Sequence, residues 1–280
     1  MNQSDLSRVL VDLDLSRRLE WTEACSNIQF VEARAQLSPE TDAEWVEIAG
    51  ASVMFDGADS PCTQTFGLGM RAEPQESDLA KIEAFYRQRG APVFHEVSPL
   101  ADIGVHQMLC RRGYQPVEMT SVLFRELAGS LAERLSREPH GKLAVREVGR
   151  DELSNWARLS AAGWSEYAEY AGLMYELALV AATRHGSRSF VAEIEGQGVA
   201  TAGLSIVDDV ALLTGASTIV EARRQGAQRA LLYERLAVAV DAGCRLAMMC
   251  ALPGSTSQRN AEREGFRIAY TRIKWGLTSQ

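Results

Sequence analysis

Landmarks in the first half of this chain return in the second half in the same order. G-A-P-V-F-H-E-V-S-P-L, starting at Gly90, is matched in pattern by G-C-R-L-A-M-M-C-A-L-P, starting at Gly243. R-R-G-Y from Arg111 is matched by R-E-G-F from Arg263, and T-F-G-L-G around Gly67 stands opposite L-T-G-A-S around Gly215. Spacing kept over so long an interval means one supersecondary plan used twice. The chain has 280 residues, enough for two domains of ordinary size. The expected division is a first domain over 1–128, a linker over 129–142 marked by charge, Pro139 and Gly141, and a second domain over 143–280.

Strands and helices alternate in both halves, so the fold class is α/β in the broad, α+β sense. Alternation of apolar and charged residues over Asp5–Glu32 predicts one or two amphipathic helices. Strands are expected over Trp45–Phe55, followed by the turn Asp56-Gly57, and over Thr63–Met70. A helix with Ser77 as N-cap, a strand at Pro92–Val97, a helix at Leu100–Arg112 and an extended run at Tyr114–Phe124 follow. The second half predicts a strand at Leu143–Val148, a helix capped by Asp151, a helix at Tyr167–Thr183 and three strands, two of them joined by the hairpin Asp208-Asp209. It closes with a helix at Ala227–Asp241, a strand at Arg245–Ala251, a helix at Ser255–Glu264 and a last strand at Phe266–Trp275.

The halves differ in one place. The interval from Gly215 to Gly243 is longer than that from Gly67 to Gly90, and the extra residues fall in T-I-V-E-A-R-R-Q-G-A-Q-R-A-L-L, Thr218 to Leu232. There a β-rich run passes through a polar turn straight into a helical pattern. Such a turn presents unpaired main-chain N–H groups and the positive end of a helix dipole, which favours an anion such as a diphosphate. Gly226 allows close approach to the backbone, and Arg223, Arg224 and Arg229 add positive charge. The first half has R-A-E-P-Q-E-S-D instead, acidic and interrupted by Pro74, which cannot offer a run of amides. Neither the Gly-Lys-Ser/Thr ending of a P-loop nor the three-glycine spacing of a dinucleotide fingerprint is present.

The turn resembles motif A of the GNAT acetyltransferase superfamily, R/Q-x-x-G-x-G/A. Arg223, Gly226 and Ala230-Leu231-Leu232 fall in register, and Gln228 stands where the family has its second Gly. With the element order and the R-x-G-F/Y signature, the whole chain resembles tandem GNAT proteins: two GNAT-like domains, each a mixed, mostly antiparallel sheet flanked by helices, with the N-terminal one degenerate. The resemblance implies acetyl-CoA, or another acyl-CoA, as co-substrate. Its pantetheine would pair with the backbone of Ser217, Thr218, Ile219 and Val220 beside a bulge at Gly215, and its diphosphate would lie on Arg224, Gln225, Gly226, Ala227, Gln228 and Arg229, with Asn260 a further contact. It also implies direct attack by an amine on the thioester, which needs a base, an oxyanion donor and an acid for the thiolate.

The family's usual acid, a Tyr four residues before the helix-ending Gly, is Ala261 here. Ser255 and Ser257, at the start of that helix, are the substitutes, although Ser at such a point is first of all a cap. Glu166, in the segment G-W-S-E-Y-A-E-Y with Trp164, Tyr167, Glu169 and Tyr170, is a candidate for receiving an amine; aromatic packing is the plain alternative. His95, next to Glu96, is the other candidate base if it faces the interdomain cleft; a structural strand histidine is the plain alternative.

A net charge of −8 leaves no basic face for a nucleic-acid backbone. No signal-peptide pattern and no apolar run of membrane-spanning length is seen, so the expectation is a cytoplasmic protein without membrane partners. The five cysteines are scattered and lack the spacing of metal ligands, so no metal is expected. The sequence therefore reads as an acyl-CoA-dependent N-acetyltransferase acting on an amine of a small molecule or protein, as a monomer or homodimer. A catalytically silent acyl-CoA sensor is the rival, and a scaffold without ligand the third reading.

Overall fold

The computed structural model describes residues 9–127 and 143–277. The expected linker, 129–142, lies outside the described residues. By contact density the chain forms two compact units that are not simply its two consecutive halves. The first comprises Met1–Ala24, Asp42–Glu126 and Cys250–Gln280; the second comprises Cys25–Thr41 and Leu127–Met249. Helix α1, Leu13–Leu37, is one continuous helix whose first part counts with the first unit and whose second part counts with the second.

In the first unit, β1 (Glu44–Ile48), β2 (Ala51–Phe55), β3 (Gln64–Phe66), β4 (Phe94–Val97), the chain's last strand β11 (Arg267–Leu277) and β5 (Tyr114–Glu126) are neighbours in that order. Every pair is antiparallel except β3 with β4. Helices α2 (Glu76–Arg87) and α3 (Ile103–Arg111) bury Leu79, Ile82, Tyr86 and Leu109 in one apolar cluster with Val53 and Trp275. Two expectations shift here. Trp45–Phe55 is a hairpin rather than one strand, turning at Ala49 and Gly50 with φ of 50° and 73°, the pair of left-handed residues that a two-residue hairpin requires. Helix α2 is capped at Gln75 rather than at Ser77: Gln75 is extended, and its N–H donates to the Asp78 carboxylate at 3.1 Å.

The second unit orders β10 (Leu246–Ala251), β9 (Val210–Thr218), β8 (Gln197–Val207), β7 (Ser187–Ile194) and β6 (Leu143–Glu147). All pairs are antiparallel except β9 with β10. Helices α4 (Leu153–Ala162), α5 (Ala171–Thr183) and α6 (Ala227–Asp241) flank this sheet, and Trp156, Ala157, Ala182 and Val191 form a buried cluster. Asp151 does not cap α4. It sits inside a 3-10 turn, Arg150–Glu152, whose start is closed by the Glu152 carboxylate accepting the Gly149 N–H at 2.9 Å. The segment expected to be helical from Tyr167 starts as a 3-10 turn, Ala168–Tyr170, before α5.

The order β3, α2, β4, α3, β5 recurs as β9, α6, β10, α7 (Thr256–Arg263), β11, as the sequence repeat requires. The fold is thus mixed α/β with mostly antiparallel sheet flanked by helices. Among the described residues, no helix is long and apolar enough to cross a membrane.

Candidate functional site

Strand β9 is where the sheet of the second unit loses its regularity. Its parallel ladder with β10 joins Val210–Leu212 to Leu246–Met248 and ends there, although β9 runs on to Thr218. On its other side the register with β8 slips: Gly203 faces Thr214, but Thr201 faces Ser217, so Ala202 stands against both Gly215 and Ala216. This is a β-bulge at the expected glycine, and Gly215 takes φ of 59°. Gly215 and Ala216 are exposed between buried Leu213 and buried Ser217. A ligand running along β9 as an added strand meets main-chain polar groups here rather than a neighbouring strand.

After a 3-10 turn at Val220–Ala222, the chain bends into α6 through two left-handed residues, Arg224 (φ 65°) and Gly226 (φ 87°). A Cβ on Gly226 would meet only Leu143 Cδ1, at 3.7 Å, so backbone conformation and not crowding calls for glycine. The first main-chain bond of α6 runs from Ala230 N to Gly226 O. Among the described residues, the N–H groups of Arg224, Gly226, Ala227 and Gln228 meet no acceptor, while that of Gln225 closes the turn at Arg223-Arg224. Four donors therefore stand at the positive end of a 15-residue helix with no acidic residue in its first turn. Arg224, Gln225 and Gly226 are exposed.

Neighbouring residues bind this turn to the helical segment that follows α4. Arg223 donates to the Glu166 carboxylate at 2.5 Å and to Gly163 O at 3.0 Å. Ser217 Oγ donates to Ser160 O at 2.7 Å, and a Cβ on Gly163 would fall 2.0 Å from that oxygen, so the approach demands glycine. Gln228 Nε2 donates to Ser217 O at 2.8 Å and Thr218 Oγ1 at 2.7 Å, tying the start of α6 back to the end of β9. The Arg229 guanidinium is turned along α6 onto Tyr233 Oη, at 2.8 and 3.0 Å. Ile219 and Val220 follow directly on β9, half-buried. Trp164, Tyr167 and Tyr170 all present about half of their surface to solvent, an aromatic patch one turn from Glu166.

The second unit therefore brings together Ser217, Thr218, Ile219, Val220, Arg224 to Gln228 and Glu166. Ser255, Ser257 and Asn260 belong to the first unit, on α7. Ser255 is that helix's N-cap, its Oγ accepting from Gln258 N at 3.2 Å. Ser257 and Asn260 are exposed, and Asn260 accepts from Arg263 at 3.5 Å.

His95 does not face a cleft. It is fully buried in β4, 5.0 Å from the Tyr114 ring, and neither ring nitrogen has a partner among the described residues. Burial, only partly opposed by the Glu83 carboxylate, pushes its pKa down to about 4. It is a neutral core residue without access to a substrate proton.

One polar centre is invisible in the sequence. Arg272 in β11 is buried among three carboxylates of the first unit: Glu23 at 2.7 and 3.0 Å, Glu96 at 2.9 Å and Glu20 at 3.3 Å. Burial pushes the Glu20 carboxyl up to about 7, against the pull of Arg272, and one of its oxygens has no partner among the described residues. Cys250 joins the cluster through its thiol, 3.2 Å from Glu23, and burial holds that thiol protonated. Glu20 and Glu23 lie on the buried face of α1 with Ser16 and Leu19, an i, i+3, i+4 stripe that an apolar count does not register. Among the described residues, no group of three or more His, Cys, Asp or Glu is arranged to hold a metal.

The acetyltransferase (GNAT) family model matches residues 150–266. No curated protein matches the chain. Among solved structures, the chain is similar to a GCN5-related N-acetyltransferase from Kribbella flavida, with a TM-score of 0.65 and 19% identity over 90% of this chain and 96% of that one. It is also similar to a tandem GNAT protein from the clavulanic acid biosynthesis pathway, with a TM-score of 0.59 and 13% identity over 82% and 79%. A conserved protein of unknown function from Staphylococcus epidermidis gives a TM-score of 0.59 and 12% identity over 86% and 96%. At these identities the structural likeness speaks for the fold. Residues 150–266, then, are similar to the acetyltransferase (GNAT) family, and the fold is similar to that of a GCN5-related N-acetyltransferase and of a tandem GNAT protein.

Proposed function

We propose that the second unit binds acetyl-CoA or a related acyl-CoA and transfers its acyl group to an amine. One observation carries the reading: four unsatisfied main-chain donors, at Arg224 and at Gly226–Gln228, next to a bulged strand that has parted from its neighbour. The donors suit a diphosphate, and the exposed edge of β9 suits an amide-bearing arm that bonds like a strand. The two features are joined by Gln228, so one ligand with both chemistries spans them.

The exposed aromatic patch at Trp164, Tyr167 and Tyr170 receives the acceptor in this reading, with Glu169 offering charge to an ammonium. The acceptor is a small-molecule or protein amine, attacking the thioester directly. A silent acyl-CoA sensor has one observation in its favour: Glu166 is committed to Arg223 and is not free to act as a base.

The deciding experiment pairs acetyl-CoA titration by calorimetry with release of CoA thiol over a panel of amines. Saturable binding with amine-dependent thiol release is expected. Binding without release moves the reading to the sensor; no binding removes both.

A further inference from the structure

The bulge in β9 is held by an unusual residue. Arg235, on the buried face of α6, is 4% exposed. Its guanidinium donates to Gly203 O at 3.0 Å, to Thr214 O at 3.3 Å and to Leu231 O at 3.1 Å. Gly203 and Thr214 are the register partners at which regular β8–β9 pairing ends and the bulge starts. All three acceptors are neutral carbonyls, and among the described residues no carboxylate pairs with this buried cation. A buried charge without a counter-ion is costly, and an apolar side chain of similar length would fill the place without that cost. A second arginine acts on the same residue: Arg184 donates to Thr214 Oγ1 at 3.3 Å and to Ser205 Oγ at 2.9 Å. Thr214 is thus gripped by its side chain and by its main chain, immediately before the exposed Gly215.

We infer that Arg235 is a positioning residue for the proposed acyl-CoA site, its Nη1 bridging the carbonyls of the Gly203–Thr214 pair at which the bulge starts and so fixing the main chain that leads into residues 214–217 in the splayed form that the thioester arm reads. The inference rests on the acyl-CoA reading for its functional half. Its structural half stands independently. A bulged strand without such a clamp relaxes toward regular pairing with β8 or frays, and in either case its exposed donors and acceptors leave their places.

The test is Arg235→Met, with hydrogen exchange at the amides of residues 213–217, acetyl-CoA affinity and melting temperature all measured. Stability should be unchanged or raised, since a buried unpaired cation is replaced by an apolar chain. Exchange at the bulge should quicken, and acetyl-CoA should bind about tenfold more weakly, the loss expected for hydrogen bonds from a charged donor. A residue that served only the stability of the fold would not produce weaker binding in an equally stable protein. Arg235→Lys keeps the cation without the fork and should lie between the two, about threefold weaker. If Arg235→Met does not fold, the Lys variant decides, and wild-type exchange and affinity in it overturn the inference. Faster exchange with unchanged affinity, or weaker affinity with unchanged exchange, also overturns it. Absence of acetyl-CoA binding in the unaltered protein would end the functional reading instead, leaving exchange at 213–217 in Arg235→Met to judge the clamp alone.

Discussion

The same corner of the fold is built twice, from β3 into α2 and from β9 into α6, and the two versions treat their polar groups in opposite ways. At the first corner the main chain is covered. Arg17 Nε donates to Met70 O at 2.7 Å, the Arg71 guanidinium stacks over the Trp21 ring at 3.7 Å, and a Cβ on Gly69 would fall 2.6 Å from Val105. Pro74 contributes no N–H, Gln75 N is taken by Asp78, and the first turn of α2 carries Glu76 and Asp78. At the second corner four N–H groups are unsatisfied, the first turn has no acid, and Arg224 is exposed. The first corner disfavours an anion, and the second favours one electrostatically. One plan therefore yields a corner closed by side chains or one left open, where the proposed ligand would complete the helix start.

The strongest challenge to that contrast is Gly226→Pro. Proline removes one of the four donors and cannot take a φ of 87°. Acetyl-CoA binding should fall below detection in a calorimetric titration, a loss of about a hundredfold or more. Pro74→Gly in the first unit should leave affinity unaltered. Equal effects from the two substitutions would mean that the corners do not differ as described.

Much of this contrast was legible in the sequence because it is local. Gly226, Pro74 and the acidic run after it act through φ, a missing N–H and nearby charge, which need no knowledge of distant neighbours. The bulge at Gly215 was legible for the same reason. The hairpin at Ala49-Gly50 was not, because alanine in a left-handed turn leaves no compositional trace. The choice between a base and a structural role for His95 is not legible, because a strand residue's exposure depends on what packs against it, here Tyr114. Arg235, Gln228 and the three carboxylates around Arg272 depend on contacts between distant stretches, and nothing in their own neighbourhoods marks them as buried or bridging. The mutual positions of Glu166 and Arg223, which lie on separate elements, were likewise beyond sequence spacing.

The two buried arginines extend the comparison into the cores. Arg272 in the first unit is surrounded by Glu20, Glu23 and Glu96, whereas Arg235 in the second is bound only by carbonyls. Truncation should therefore act in opposite directions. Arg272→Met strands three buried carboxylates and should cost the first unit about 3–5 kcal/mol in denaturant unfolding, in contrast to Arg235→Met. Similar losses from both would show that the surrounding carboxylates do not set the outcome.

Glu20 gives the same cluster a pH signature. Its folded-state pKa is raised from 4.5 to about 7, by burial first and by Glu23 and Glu96, with Arg272 and the Tyr270 hydroxyl opposing. Between those values the folded protein keeps a proton that the unfolded chain has released. The corresponding stability is complete below about pH 4.5 and is lost as pH rises through 7. Glu20→Gln, neutral at every pH and able to accept through its amide oxygen, should remove this dependence. Urea unfolding should find the variant gaining on the parent by about 2 kcal/mol from pH 5 to pH 8. A constant difference across that range would show that Glu20 is ionised in the fold throughout.

Gln228 provides the finest division between the two corners. It occupies the second-glycine position of the family motif, yet its amide reaches back to Ser217 O and Thr218 Oγ1, so its side chain serves the strand while its main-chain N–H serves the turn. Gln228→Leu removes the first function and keeps the second. Two neutral, partly buried hydrogen bonds are lost, a cost of about 1 kcal/mol in unfolding. The four amides keep their places, so acetyl-CoA affinity should change less than about threefold. A loss as complete as that of Gly226→Pro would mean that side chains, not main-chain donors, hold the ligand, and the contrast between a corner closed by side chains and one left open for an anion would fail where it is most specific.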